Sequence, residues 1–332
     1  MQKFVLPGTD LHVSALCLGT AEIGVKTTEE ETFRLLDRWL ELGGNFVDTA
    51  RIYSDWIPGE TGRSERILGD WLMARRNRDR VVLATKGGHP PLRDLSVGRC
   101  GREDLERDLE ASLRALRTDW VDLYWLHRDD PGRSVEEIME GVHGLVTSGR
   151  IRYVGASNWK AERIRAANRY AVKAGLTPFC ATQQLWNLGS RWMKPHPEAW
   201  RLETFDVEQE RLHMELPLTA IPYNSQAGGF FSKLLEGDDQ ARARAMASQF
   251  WTPKNVGLAE VVRAIATRRQ APVGALVLSY LFAFPFPVVP IVGPHRTDQL
   301  EEAVYGSVYT MLPEDWEQLR VALSLGDPGE QD

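Results

Sequence analysis

The chain reads as an α/β protein, a closed (β/α)8 TIM barrel with an N-terminal β-hairpin and long loops over the carboxyl rim. Eight short apolar runs alternate with helix-like segments over nearly the whole length. The runs are mostly apolar throughout instead of alternating with polar residues, as parallel strands covered by helices are. No G-x-G-x-x-G follows the first run, which places a doubly wound dinucleotide fold second. A length of 332 residues suits one such barrel with insertions, so a single domain is expected, its core over 4–325 and a flexible tail over 326–332.

The opening FVLPGTDLHVS puts turn chemistry between two apolar flanks and predicts the hairpin. The eight strands are ALCLGT, NFVDTA, VVLATK, VDLYWLH, IRYVGAS, FCATQQ, LTAIPY and VVPIVG. Between them, EEETFRLLDRWLEL, REDLERDLEASLRAL, VEEIMEGVHGLVTS, KAERIRAANRYAVKA and LAEVVRAIATRR have the composition and spacing of crossover helices. Residues 186–215, rich in Trp and Pro, and residues 224–254, which carry Gly228 and Gly229, break the alternation. Both follow strands, so both should overhang the mouth.

A net charge of −6 argues against a nucleic-acid surface and against a polybasic membrane anchor, since each needs a positive excess. The basic run Arg75, Arg76, Arg78 and Arg80 is expected to be a solvated helix end. Cys17, Cys100 and Cys180 are odd in number and far apart, offering neither a disulfide framework nor a metal pair. With no signal-peptide pattern and no apolar run of about 18 residues, the expected setting is a reducing cytoplasm.

In a parallel barrel the strand carboxyl ends meet on one rim. Asp48, Lys86 and His127 close strands two, three and four, and Tyr53 lies on the loop leaving the strand of Asp48. Each alone has an ordinary reading: a cap, a buried-stem lysine, a packing aromatic, a structural histidine. Together they suit carbonyl redox chemistry. Carbonyl reduction needs a hydride on carbon and a proton on oxygen, and a phenol with a pKa of about 10 needs help to give that proton. The Lys86 ammonium should lower the Tyr53 pKa, and the Asp48 carboxylate should keep Lys86 charged. His127 can hydrogen-bond and orient the carbonyl. No side chain donates hydride, so a nicotinamide is required.

LPGTDLHVSALCLGT, NFVDTARIYS, GRSERILGDWL, VVLATKGG, TDWVDLYWLHRDDP, GRIRYVGASNW and VGPHRTDQLEEA together resemble the successive signatures of the aldo-keto reductase superfamily. The resemblance implies Tyr53 as general acid or base, Asp48 and Lys86 as the pair tuning it, His127 as the carbonyl-orienting group, and a barrel plugged by the opening hairpin. It also implies that Ser157, Asn158 and Gln183 hold the nicotinamide carboxamide, that the ring stacks on Tyr223, and that Asn224 and Ser225 follow the ribose and pyrophosphate. Thr20, Asp48 and Gly293 join the cofactor set. The helix start after the last strand can receive phosphate, with Arg296 as candidate for a 2′-phosphate and Gln299 and Glu302 at adenosine-contacting positions. NADP is therefore expected, with NAD as the alternative. The chain departs from the family pattern in a lengthened SDWIPGET, in Asn224-Ser225-Gln226 where Ser-Pro-Leu is usual, and in Ala303 where asparagine often stands.

Trp56, Trp125 and Trp159 are the substrate candidates, since indole faces stack on a sugar or an aromatic ring. Trp56 leads because it lies on the extended loop, and Trp125 shares the parity of His127 and should point into the barrel one layer lower. The expected partner is a small carbonyl compound or sugar. Two rivals keep the fold: a cofactor-binding regulatory subunit with little turnover, which the resemblance to potassium-channel β subunits permits, and a Schiff-base lyase using Lys86. A barrel glycosidase lacks its second facing carboxylate.

Overall fold

The computed structural model describes residues 1–324, so the expected tail over 326–332 lies outside the described residues. A hairpin of β1 (Lys3–Val5) and β2 (His12–Ser14) precedes β3 (Cys17–Gly19), β4 (Phe46–Asp48), β5 (Val82–Gly87), β6 (Val121–Leu126), β7 (Ile151–Ser157), β8 (Phe179–Gln183), β9 (Thr219–Ala220) and β10 (Ile291–Val292). The last eight form a parallel sheet in the order β10-β3-β4-β5-β6-β7-β8-β9. Its two ends meet: Ala220 N donates to Pro287 O at 3.0 Å, Val289 N to Ala220 O at 2.8 Å and Ile291 N to Pro222 O at 2.8 Å. The eight expected runs are these eight strands, and the predicted crossover helices are α1 (Glu29–Glu41), α3 (Arg102–Leu116), α4 (Val135–Thr147), α5 (Ala161–Ala174) and α9 (Pro253–Arg269), with α2 (Arg63–Arg75) after β4.

Apolar residues separate into two layers. Leu16, Leu18, Val47, Leu83 and Tyr124 face the helices, whereas Cys17, Phe46, Ala84, Leu123 and Trp125 fill the interior with Leu6, Leu11 and Val13 of the hairpin region. Successive strand residues point to opposite faces, which produces the division. The hairpin thus plugs the amino end, where Ser14 N donates to Asn45 Oδ1 at 2.7 Å.

Both irregular stretches are partly helical. The first holds α6 (Val207–Glu215), and the second holds α7 (Phe230–Leu235) and α8 (Asp239–Met246). Short amphipathic signals among Trp, Pro and Gly conceal these helices from periodicity alone. The first stretch does reach the rim: Glu203 N donates to Asn158 Oδ1 at 3.2 Å, and Arg201 Nη2 to Ser96 O at 3.0 Å.

The basic run is only partly a solvated helix end. Arg75 pairs with Asp37 at 2.8 Å near the surface. Arg78 instead lies 3.7 Å above the Trp120 ring and pairs with the buried Asp122 at 3.0 Å. Asp122 also accepts Leu83 N at 2.9 Å and Arg152 Nη1 at 2.8 Å, joining three segments at the amino end. Removing this carboxylate strands a partly buried guanidinium and a buried amide. Asp122→Ala is expected to lose about 3 kcal/mol of stability, read as a lower urea midpoint; an unchanged midpoint would show that the cluster contributes nothing.

Candidate active site

Strand register places the reactive groups. Asp48 lies opposite Ala84, so Lys86, two residues on, shares its inward parity. Lys86 lies opposite Trp125, and His127 is two residues beyond, its N–H bonded to Gly87 O at 2.8 Å. Trp125 lies opposite Gly155, and Ser157 opposite Gln183. Asp48, Lys86, His127 and Ser157 thus climb the inner wall like a stair, as the stagger of a barrel requires. Tyr53 arrives from the loop after β4. Ser54, immediately after it, is held at φ 74°, a left-handed conformation that serine rarely takes. Asp55 fixes the lengthened loop by accepting Gly62 N at 2.6 Å and pairing with Arg51 at 3.3 Å.

Lys86 is the centre. Its Nζ donates to the Asp48 carboxylate, to Thr49 O at 2.8 Å and to the Tyr53 hydroxyl oxygen at 3.0 Å. An ammonium has three hydrogens, and all three are used. Asp48 receives a further N–H from Gln183 Nε2 at 3.2 Å, so only donors face it and we assign it as the carboxylate. Burial pushes the Asp48 carboxyl up, with Lys86 pulling it back. Burial also works against the Lys86 charge, but Asp48 and Tyr53 outweigh it and raise the ammonium above its ordinary range. A charged pair in a dry site follows.

The expected lowering of the Tyr53 pKa requires correction. Lys86 acts in the expected direction, but burial is the larger effect and Asp48 adds to it, so the phenol stands above its ordinary value. Tyr53 therefore keeps its proton at neutral pH. Because its oxygen already accepts from Lys86, its own O–H is free to be donated elsewhere. His127 is pushed well below its ordinary value by burial, then by Arg128, His89 and Lys86, and is a neutral imidazole. Its ring centroid lies 6.0 Å from that of Tyr53 and 4.8 Å from that of His89, and its buried Nδ1 has no hydrogen-bond partner.

A cavity of about 760 Å³ extends from these groups, a size typical of ligand sites. Asp48, Tyr53, His127, Ser157, Asn158, Gln183, Tyr223, Asn224, Ser225, Gly293, Gln299 and Glu302 all line it. Ser157 Oγ donates to Gln183 O at 2.9 Å, and Asn158 Oδ1 accepts the Tyr223 hydroxyl at 2.8 Å. Asn158 and Asn224 have φ of 57° and 55°, left-handed values that asparagine tolerates, and so turn the chain at the rim.

Other candidates stand apart. Thr20 is wholly buried; its hydroxyl donates to Asp48 O at 3.0 Å and accepts from Ser64 at 3.0 Å, so it braces β3 against β4 from beneath. Arg296 is exposed and grips Asp298 of the helix it caps, Thr297–Val308, at 2.9 and 2.8 Å. Trp56 is 49% exposed and meets Tyr53 edge-on at 6.4 Å. Trp125 and Trp159 are wholly buried, the first inside the barrel and the second against Phe179 in the helix-facing layer, so neither offers a face to a ligand. Parity explains Trp159: it is two past Ser157, but the chain has turned at Asn158 and no longer alternates as a strand.

Sequence reasoning passed over Arg128, His89 and Lys233, and read Gly228 and Gly229 only as part of a stretch expected over the mouth. All but His89 line the cavity, and His89 packs behind His127. Arg128 directly follows His127, which was a usable signal; Lys233 lies on an unrecognised helix. Among the described residues no cluster of three His, Cys, Asp or Glu side chains forms a metal site, and no helix is long and apolar enough to cross a membrane.

The aldo/keto reductase family model matches residues 15–323. The chain belongs to that family. This aldo/keto reductase is 34% identical over 315 residues to norsolorinic acid reductase of Emericella nidulans, covering 90% of this chain and 75% of that protein. It is 28% identical to an aryl-alcohol dehydrogenase of Pestalotiopsis microspora, covering 96% and 80%. An NADP(+) aryl-alcohol dehydrogenase of Phanerodontia chrysosporium is 37% identical over 206 residues, 57% of this chain and 52% of that protein. The protein is accordingly an oxidoreductase of the aldo/keto reductase family.

Behind the quartet of this reductase, Glu65 on α2 is wholly buried and accepts the Thr85 hydroxyl at 2.5 Å. Burial pushes its carboxyl from 4.5 up to about 7, with Thr85 opposing. The folded chain binds this proton more tightly than the unfolded one, so the stability it contributes is full below 4.5 and is lost as pH rises through about 7. In Glu65→Gln that pH dependence should vanish, flattening a slope of at most about 1.4 kcal/mol per pH unit. Urea unfolding at several pH values checks it; parallel curves for the two proteins would refute the assignment.

Proposed function

We propose that this protein is an NADPH-dependent reductase of aromatic aldehydes or ketones in which Tyr53 is the general acid. The observation that carries the reading is the Lys86 ammonium, which spends its third hydrogen on the Tyr53 oxygen at 3.0 Å. That contact leaves the Tyr53 proton pointing away from Lys86 and favours the phenolate once the proton has gone. The neutral His127 supplies a hydrogen-bond donor to the carbonyl oxygen beside Tyr53 and so selects the pose in which the proton is delivered. A nicotinamide dinucleotide, when bound, would supply hydride to the carbonyl carbon, while Tyr53 gives its proton to the carbonyl oxygen and the product is the alcohol.

The fit to such a cofactor rests on the cavity wall. Ser157, Asn158 and Gln183 present amide and hydroxyl groups next to Asp48, suited to a carboxamide. Tyr223 offers a ring face whose hydroxyl is already tied to Asn158. Gly228, Gly229 and Gly293 line the cavity without side chains, and Lys233 adds a positive charge among them, suited to phosphate. Arg296 would take the 2′-phosphate by giving up Asp298. The aromatic substrate class is supported by Trp56 beside Tyr53 and by relatives named aryl-alcohol dehydrogenases. The Schiff-base reading needs a free amine, whereas Lys86 is a fully bonded ammonium.

Tyr53→Phe should keep NADPH binding, read by fluorescence, while turnover of benzaldehyde falls roughly 10² to 10⁴-fold; full turnover in that variant would remove Tyr53 from the role. Arg296→Ala should raise the KM for NADPH about tenfold and leave that for NADH alone, the worth of a charge-assisted contact. Equal effects on both cofactors would move the 2′-phosphate site elsewhere.

A further inference from the structure

Three half-buried arginines have carboxylate partners: Arg78 with Asp122, Arg99 with Asp108 at 2.8 Å and Arg163 with Asp129 at 2.7 Å. Arg128, also half-buried, differs from them. Its Nε donates to Trp200 O at 3.2 Å and its Nη1 to His127 O at 2.8 Å, both neutral carbonyls. Among the described residues it forms no ion pair, and its neighbours Asp129 and Asp130 are engaged by Arg163 and Arg133. A guanidinium has five N–H groups, so several remain unspent.

Arg128 lines the same cavity as Tyr53, His127, Leu202 and Tyr223, and its field reaches both tyrosines. The remaining cationic side chains of the wall are elsewhere: Lys26 is paired with Glu22 at 2.6 Å, and Lys233 feels Lys26 and Glu22 but not Arg128. The reacting end of the cavity thus holds one full positive charge that no carboxylate among the described residues neutralises. A sequestered charge is costly unless a ligand compensates it, and a planar guanidinium matches a carboxylate in both geometry and charge.

We infer that Arg128 recognises a carboxylate on the substrate, so that the preferred substrates are aromatic aldehydes or ketones that also bear an acid group. The inference rests on the proposed carbonyl reduction and deepens it. Arg128 selects and orients; it takes no part in proton or hydride transfer. The acid group would lie against the His127–Arg128 corner while the carbonyl faces Tyr53, which fixes the distance between the two groups and disfavours neutral analogues by leaving the guanidinium unpaired.

The test compares 3- and 4-carboxybenzaldehyde with their methyl esters, which keep the ring and the aldehyde but lose the charge. With NADPH saturating, the wild-type protein should favour one acid over its ester by about tenfold or more in kcat/KM. Arg128→Gln, which retains donors for the two carbonyls, should raise KM for the acid by a similar factor with kcat and the ester's constants little changed, and Arg128→Lys should recover part of the preference. Independently of turnover, terephthalate should bind the NADP-saturated wild-type protein by calorimetry and bind Arg128→Gln much more weakly. No preference for either acid in the wild type, an equal loss for acid and ester in the variant, or weakened NADPH binding with the ratio intact would each overturn the inference. If the wild type reduced none of the four compounds, the carbonyl-reductase reading would fail, and the terephthalate titration would still decide the role of Arg128.

Discussion

Lys86 Nζ has three hydrogens and three fixed acceptors: the Asp48 carboxylate, the Thr49 carbonyl and the Tyr53 hydroxyl. This buried ammonium ties β4, β5 and the loop after β4 into one unit. Its burial is costly and is offset only because all its hydrogens are satisfied and an opposite charge touches it. The same bonds set the chemistry. Asp48 keeps the lysine charged, the lysine directs the Tyr53 proton outward, and burial keeps that proton in place at neutral pH.

The barrel supplies the geometry at no special local expense. Parallel strands with inward alternation bring Asp48, Lys86 and His127 to successive heights on one wall, and Gly155 leaves room for the Trp125 indole beneath them. The interior below is apolar and closed by the hairpin region, so the polar groups at the rim sit on a dry floor. That floor is why burial outweighs the neighbouring ammonium at Tyr53 and why His127 is neutral.

Much of this was legible before the structure, for an identifiable reason. Strand-forming runs and the residues closing them follow from local composition, and the parity that places Lys86 and His127 inward is a property of strands themselves. Groups whose position depends on where the chain turns were harder to read. Trp159 has inward parity on paper but follows the left-handed turn at Asn158 and ends among helices. Thr20 closes its strand yet braces β3 to β4, and Arg78, in a run that looked solvated, is drawn under the barrel by Asp122.

By itself, the sequence determined the order of strands and helices, the opening hairpin, and which acid, amine, phenol and imidazole reach the rim, because these depend on patterns a few residues long. Tertiary structure alone decided the balance of charge: that burial overrides Lys86 at Tyr53, that Asp122 holds Arg78, and that Arg128 has no carboxylate partner among the described residues. Those outcomes depend on desolvation and on contacts between residues remote in the chain, which no local pattern encodes.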